Sequence, residues 1–418
     1  MRDTSSIMQW IPRMYELEPS SLLRKGKVVL LYGARRVGKT MLMERVLTNT
    51  QRSAAQHQDQ AAANSGADAK NGPTVKVFSG VGDDFELASI LGSRKIETYQ
   101  LFFSLYDIIF IDEAQYIPEI GACAKLLIDL FPEKSIVLTG SSTVNLSQGS
   151  SEPLAGRSIE RRLFPISLLE LRQERAWVDI YREIESYLVF GLYPEVLGLG
   201  SAAEKTEYLV NLRNSYLFKD ILALEQLRNS QKLQDIVRLL AFQVGNEVSL
   251  NELATQTGLS KNTVQRYLDL LEKAFIIKKL GAFSRNLRSE ISKSAKYYFW
   301  DVGVRNAVIN DFRPVELRND VGALWENFVV MELLKKYEYE HRYANFYFWR
   351  TYDQKELDLV IEENGVLSGY EIKWRDSTAK IPKLWLDTYK GEVSVITKES
   401  LLALLEHGTL QPWKPKTW

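Results

Sequence analysis

Four short apolar runs punctuate the first third of the chain: KVVLLYG (27–33), VKVFSG (75–80), DIIFIDE (107–113) and SIVLTGS (135–141). Each is rich in Val, Ile, Leu or Phe, and most end in Gly, Ser or Asp, as buried parallel strands do. Helical patterns lie between them, TMLMERVL (40–47) and AKLLIDLF (124–131). Alternating strand and helix predicts a doubly wound α/β domain with its ligand at the carboxyl ends of the strands. From about 166 to 240 the pattern turns helical (LLELRQE, EYLVNLRNSYLFKDILAL), and a second helical signature continues to about 300. Alternation returns from 345 in NFYFWR, ELDLVIE, GYEIKW and VSVIT. Residues 51–73, QRSAAQHQDQAAANSGADAKNGP, hold almost no large apolar side chain. They are expected to form a disordered insertion, because such a segment buries too little surface to offset its ordering entropy.

Composition narrows the class. At 418 residues the chain has room for roughly three domains. Hydrophobic residues make up 45%, enough for several cores, and 53 basic residues balance 53 acidic ones. Any affinity for nucleic acid must therefore come from a local patch. One cysteine, Cys123, and three histidines exclude a disulfide framework or a Cys/His zinc module. The best candidate for a membrane span, LFFSLYDIIFI, is short and broken by Asp107, and no signal-peptide core opens the chain. A cytoplasmic protein without membrane contact is expected.

Gly33-Ala34-Arg35-Arg36-Val37-Gly38-Lys39-Thr40 fits G-x-x-x-x-G-K-[ST] between a strand and a helix, the context that motif requires. The loop through Met41 is expected to cradle the phosphates of ATP with backbone amides. Lys39 supplies charge to the β/γ-phosphates, and Thr40 ligates Mg²⁺. At the end of IIFI, Asp112 would hold Mg²⁺ through water and Glu113 would polarise the attacking water. Ser141 and Ser142, at the tip of SIVLTG, could contact the γ-phosphate or cap a helix. Arg157, after Gly156, could act as a finger on a neighbouring copy's γ-phosphate, which implies a homo-oligomer, or be a salt-bridge arginine.

GARRVGKT, IDEAQ, LTGSS and LAGR…LFPISLLEL resemble the prokaryotic AAA-type ATPases whose C-terminal half is a conserved domain of unknown function. GLYPEVL, RYLDLLEKAFIIKKL, DVGVRNAV and GALWENFVVMELL are similar to the rest of that family, so the resemblance covers nearly the whole chain outside 51–73. Leu192 stands where the family usually shows a second glycine. The resemblance implies ATP binding and hydrolysis.

A Ser249-x-x-Glu252 capping box opens one helix, Gly258 makes a turn, and a second helix begins at Lys261, the layout of a helix-turn-helix. Val264, Leu268 and Leu271 share one face, leaving Lys261, Asn262, Gln265 and Arg266 outward. Residues 258–298 carry nine Lys/Arg against three Asp/Glu, a footprint expected of DNA binding. A winged-helix lid or an interface for a protein partner is the alternative.

Asn364-Gly365 is a strong hairpin signal between ELDLVIE and GYEIK. A two-residue turn there sets Asp358 opposite Glu371, with Lys373 on the face of Glu371. Facing like charges destabilise a strand pair unless a cation lies between them. These residues, with Glu326 on a helix, resemble the constellation of PD-(D/E)xK nucleases. By that resemblance Asp358, Glu371 and Glu326 would bind Mg²⁺, and Glu371 and Lys373 would serve catalysis. A solvated acidic hairpin with Lys373 paired to Glu356 is the alternative.

The expected architecture is an AAA-type P-loop domain (1–165), a helical lid-like segment (166–240), a winged helix-turn-helix (241–300) and an α+β restriction-endonuclease-like domain (301–418).

Overall fold

The computed structural model describes residues 10–65, 74–141, 154–217, 230–285, 295–351, 355–375, 382–408 and 410. The chain divides into two compact units, one of residues 12–163 and one of residues 164–418 joined by residues 1–11.

The first unit is a five-stranded sheet in the order β2-β3-β4-β1-β5, with β1 Val28–Tyr32, β2 Val77–Val81, β3 Ile108–Asp112, β4 Ser135–Gly140 and β5 Ser158–Arg162. Every pairing is parallel. The three inner strands β1, β3 and β4 are buried along their whole length, which is why they read as unbroken apolar runs. Strand β5 was not expected from SIERR. It is an edge strand whose residues are half-exposed or exposed, so it carries polar residues where a central strand would be apolar.

Around the sheet lie α1 (Met14–Leu17), α2 (Lys39–Ser65), α3 (Phe85–Gly92), α4 (Ile96–Phe103) and α5 (Ile120–Leu130). Helix α2 corrects the reading of 51–73 as unstructured throughout. Residues 51–65 continue the helix, and 66–73 lie outside the described residues. The Ala- and Gln-rich composition that denies the segment a core is also favourable to helix, and a helix already nucleated at Lys39 can propagate through it.

The second unit is built on a seven-stranded sheet, β12-β11-β10-β9-β7-β8-β6. The strands are β6 Glu247–Val248, β7 Ile277–Ala282, β8 Ala295–Phe299, β9 Asn345–Arg350, β10 Glu356–Glu363, β11 Val366–Ile372 and β12 Glu392–Ile396. Its main helices are α6 (Trp177–Phe190), α7 (Ser230–Phe242), α8 (Leu250–Thr257), α9 (Lys261–Lys273), α10 (Val302–Ile309), α11 (Val321–Tyr339) and α12 (Lys398–His407). Residue 300, expected as a domain boundary, falls inside one sheet: β7 pairs antiparallel with β8 and parallel with β9.

GLYPEVL and DVGVRNAV pack against each other in this unit. Asp301 caps α10 by accepting from Val304 N and also accepts from Leu192 N at 2.7 Å. A Cβ on Gly191 would lie 2.1 Å from Asp301 Oδ1, and one on Gly303 would lie 2.1 Å from the Phe190 carbonyl oxygen. Glycine is therefore required at both positions. Leu192 is buried and is not among the described residues with positive φ, so its backbone does not call for glycine. Arg305, Asn306, Arg318 and Asp320 form a hydrogen-bonded network, and Asn306 donates to the carbonyls of Leu188 and Val189 at the end of α6.

Candidate functional site

The P-loop follows β1 and opens α2, as its motif demands. Gly33 cannot carry a side chain, because a Cβ there would sit 2.2 Å from the Leu163 carbonyl oxygen. Gly38 has φ +93° and Arg36 φ +64°, the left-handed turns that let the loop curl. Lys39 is buried, and its ammonium donates to the carbonyls of Gly33 and Ala34 at 2.9 and 3.0 Å, tying the two ends of the loop. Burial pulls its pKa down to about 8, against the opposing pull of Glu113 and Asp112.

Thr40 Oγ1 donates to Asp112 Oδ2 at 2.6 Å. The other Asp112 oxygen accepts from the Thr139 hydroxyl, which in turn accepts from Glu113 N at 2.9 Å. Two hard oxygen donors, Thr40 and Asp112, thus meet at the end of β3, a set that suits Mg²⁺ with water and phosphate completing its shell. Glu113 adopts φ +47°, a left-handed conformation costly for a side-chain residue. Gly82 packs on it so closely that a Cβ would be 2.3 Å from the Glu113 carbonyl oxygen. Gln115 donates its amide to the Glu113 carboxylate and reaches Ser141 Oγ at 3.5 Å.

The remaining expected residues divide. Arg35 bonds the Tyr116 hydroxyl at 3.0 Å, Val37 is buried, and Met41 is exposed. Ser142 lies outside the described residues. Arg157, expected as a finger for a neighbouring copy or as a salt-bridge arginine, stands at the opposite end of β1 from its own P-loop. Its carbonyl accepts from Val28 N at the start of β1, whereas the P-loop follows the other end of that strand, about 16 Å away. There it pairs with Asp129 at 2.7 Å, both side chains half-exposed. Thr139 and Gln115 were missed by sequence reasoning. Thr139 lies within LTGSS, just before the strand-ending Gly140.

In the second unit, Asn364 (φ +51°) and Gly365 (φ +80°) form the two-residue turn between β10 and β11. Leu359 faces Tyr370, so the register brings Asp358 to the level of Glu371. Lys373 Nζ lies 2.8 Å from Glu371 Oε2 and 3.5 Å from Asp358 Oδ2, while Glu356 faces Arg350 at 3.7 Å. Asp358 Oδ2 also accepts from Ile372 N at 2.7 Å. Burial and Asp358 push the Glu371 carboxyl up, opposed by Lys373.

Glu326, expected as a third ligand, stands on α11 beside β8. Its carboxylate is taken by Lys296 Nζ at 2.9 Å and the Tyr298 hydroxyl at 2.6 Å, and burial raises its pKa to about 7. Among the described residues, no three His, Cys, Asp or Glu side chains converge as a metal-binding group. β8 delivers a buried lysine and a tyrosine beside α11, and both bond the same Glu326 oxygen, Oε1. Asp358 and Glu371 are two neighbouring carboxylates that would suit a hard cation such as Mg²⁺ with water and phosphate supplying the rest.

The helix-turn-helix segment has α8 capped by Ser249 and ended by Gly258 (φ +68°), then α9 capped by Ser260. Val264, Tyr267, Leu268, Leu270 and Leu271 are buried, and Lys261, Asn262 and Arg266 are exposed. Gln265 is half-buried and donates to Asp269 at 2.8 Å.

Residues 25–172 match the model of the AAA domain family, AAA_14. The first unit is thus similar to P-loop AAA domains. Residues 181–314 and 321–397 match two domains of unknown function, DUF8612 and DUF4143. An uncharacterized protein of Mycobacterium tuberculosis is 28% identical over 368 residues, 86% of this chain and 73% of that one. An uncharacterized protein of Methanocaldococcus jannaschii is 23% identical over 417 residues, 91% of this chain and 87% of the other. Among solved structures, the replication initiator DnaA bound to AMPPCP and single-stranded DNA is 17% identical, with a TM-score of 0.28 over 62% of this chain and 86% of that one. PCH-2 of C. elegans is 14% identical, with a TM-score of 0.22 over 62% and 64%. Scores this low say nothing about mechanism. No helix among the described residues is long and apolar enough to cross a membrane.

Proposed function

We propose that the protein is a Mg²⁺-dependent ATPase that couples ATP binding and hydrolysis to engagement of DNA. The observation that carries the ATPase reading is the convergence of Lys39, Thr40, Asp112 and Glu113 through Thr139 at the carboxyl ends of β1, β3 and β4. Loop amides and the buried Lys39 ammonium hold the β/γ-phosphates, where low dielectric makes their charge effective. Thr40 and Asp112 would hold Mg²⁺, which neutralises developing charge on the phosphates. Glu113 orients a water and takes its proton as the water oxygen bonds to the γ-phosphorus. The bond to the β-phosphate oxygen breaks, leaving ADP and phosphate. Gln115 holds the Glu113 carboxylate at the strand end, ready for that water. Arg157, exposed, is available to a neighbouring copy as a finger.

DNA engagement rests on α9, whose exposed Lys261, Asn262 and Arg266 begin a segment with a surplus of positive charge. The test is ATP turnover with and without duplex and single-stranded DNA across a salt series. Stimulation that falls steeply with salt, and is lost in a Lys261→Ala/Arg266→Ala variant, is expected. Turnover indifferent to DNA at every salt concentration would leave an ATP-gated switch for a protein partner.

A second reading, DNA cleavage by the C-terminal sheet, is favoured by one observation: Lys373 lies within 3.5 Å of both Asp358 and Glu371. Nicking of circular DNA with Mg²⁺ or Mn²⁺ that disappears in Glu371→Ala supports it. No nicking by the wild type removes it and leaves the ATPase reading intact.

A further inference from the structure

The geometry points to Arg13, outside the matched AAA segment, as the residue that sets the phosphate-binding face of the P-loop by fixing one peptide plane. The inference rests on the ATPase reading above.

Arg13 immediately precedes α1 and is 1% exposed. Its Nη1 donates to the Val37 carbonyl oxygen at 2.6 Å, across 24 positions of sequence. That carbonyl belongs to the Val37–Gly38 peptide, which is trans, as are all the described peptides. In a trans peptide the C=O and N–H point in opposite directions. Holding the carbonyl toward Arg13 therefore turns the Gly38 N–H away from Arg13, toward the side from which a phosphate must be cradled.

The plane needs holding. Gly38, at φ +93°, has no side chain to restrict it, and glycine's freedom makes rotation of this peptide cheap. A flipped peptide would present a carbonyl oxygen to the phosphates and repel them. The guanidinium also lies close: Nη1 would be 3.7 Å from a Cβ on Gly38, so it adds positive potential behind the loop. Arg13 is itself anchored, since its amide donates to Glu16 Oε1 at 3.1 Å, and Glu16 Oε2 accepts from Arg45 Nε of α2 at 2.9 Å.

Arg13 is a positioning residue, so its loss is expected in binding rather than in chemistry. The experiment measures KM for ATP, kcat and the Kd of a fluorescent ADP analogue for wild type, Arg13→Met and Arg13→Lys. The Met variant keeps the buried stem and removes the donor. It is expected to raise KM and Kd together by about tenfold to a hundredfold, the range for a lost charged hydrogen bond. Its kcat is expected to stay within about threefold, because groups at β3 and β4 are untouched. Lys, which keeps a charged donor, is expected to recover part of the affinity. Wild-type Kd in the Met variant, or a fall in kcat at unchanged KM, overturns the proposal. So does loss of a cooperative melting transition in Arg13→Met, which would make the arginine a folding element only. A wild type that binds no nucleotide fails the ATPase reading itself, a different result from a wild type that binds and a variant that binds equally well.

Discussion

Thr139 does two things with one hydroxyl, donating to Asp112 and accepting from Glu113 N. Thr139→Val keeps the shape, is fully buried, and strands both partners. The expected outcome is a fall in kcat of about tenfold to a hundredfold, as for other residues that orient a ligand from behind. Phosphate release at saturating ATP checks it. Glu326 is a carboxylate with a folded pKa of about 7 against an ordinary 4.5. The folded state therefore holds more protons than the unfolded state between those values, and this group's contribution is complete below pH 4.5 and declines as pH rises to about 7. In Glu326→Gln that decline is expected to vanish from a urea-midpoint series taken between pH 5 and 7.5. An unchanged pH slope would show that Lys296 keeps the glutamate ionised throughout. At this scale the sequence was most legible where one motif implies one geometry. GARRVGKT, Asp112 and Glu113 come together at the strand ends as their motifs predict, whereas Lys296 and Tyr298 have no local signature because their partner Glu326 lies 30 and 28 positions away in the chain.

Elements were legible in proportion to burial. The inner strands β1, β3 and β4 carry the apolar signal of two covered faces, and the Asn364-Gly365 turn is readable because few residues accept two consecutive positive φ angles. Strand β5 was invisible, since its pairing with β1 is made by backbone and its side chains are half in solvent. The length of α2 was underestimated for the converse reason: helix propensity carries it on without a core to mark it. The turn gives the prediction proper to this scale. Gly365→Val puts a β-branched side chain at φ +80°, and is expected to cost about 1–3 kcal/mol of stability, read from a thermal melt. If the strands instead slip by one position, Asp358 turns to the other face and the Lys373 ion pair is lost. A Lys373→Ala change would then have no further effect in the Val background.

The whole molecule consists of two units with separate sheets. ATP binding only to the folded first unit stabilises that unit by mass action, about 2.7 kcal/mol at a hundred times Kd. Calorimetry is expected to show two transitions, of which ATP with Mg²⁺ raises one, and Lys39→Ala is expected to abolish that rise while leaving the other in place. A single transition that moves as a whole would mean that the units unfold together. The composition could say that several cores exist, but not that strands on either side of residue 300 belong to one sheet, because strand pairing across 66 positions leaves no periodic trace.

That shared sheet also governs the order in which a nascent chain can complete itself. Strand β7 ends at Ala282, and its parallel neighbour β9 begins at Asn345. At about 5–20 residues per second, a ribosome leaves the β7 edge without its partner for several seconds, and β9 then waits for β10 on its other side. During that interval the β7–β8 pair is an unsatisfied edge, the kind of surface that chaperones cover and that recruits another unfinished chain. Cutting the gene near codon 300 would make the interval permanent. The fragment is expected to be recovered in inclusion bodies, while a cut between residues 163 and 164, where no sheet is divided, yields a soluble piece.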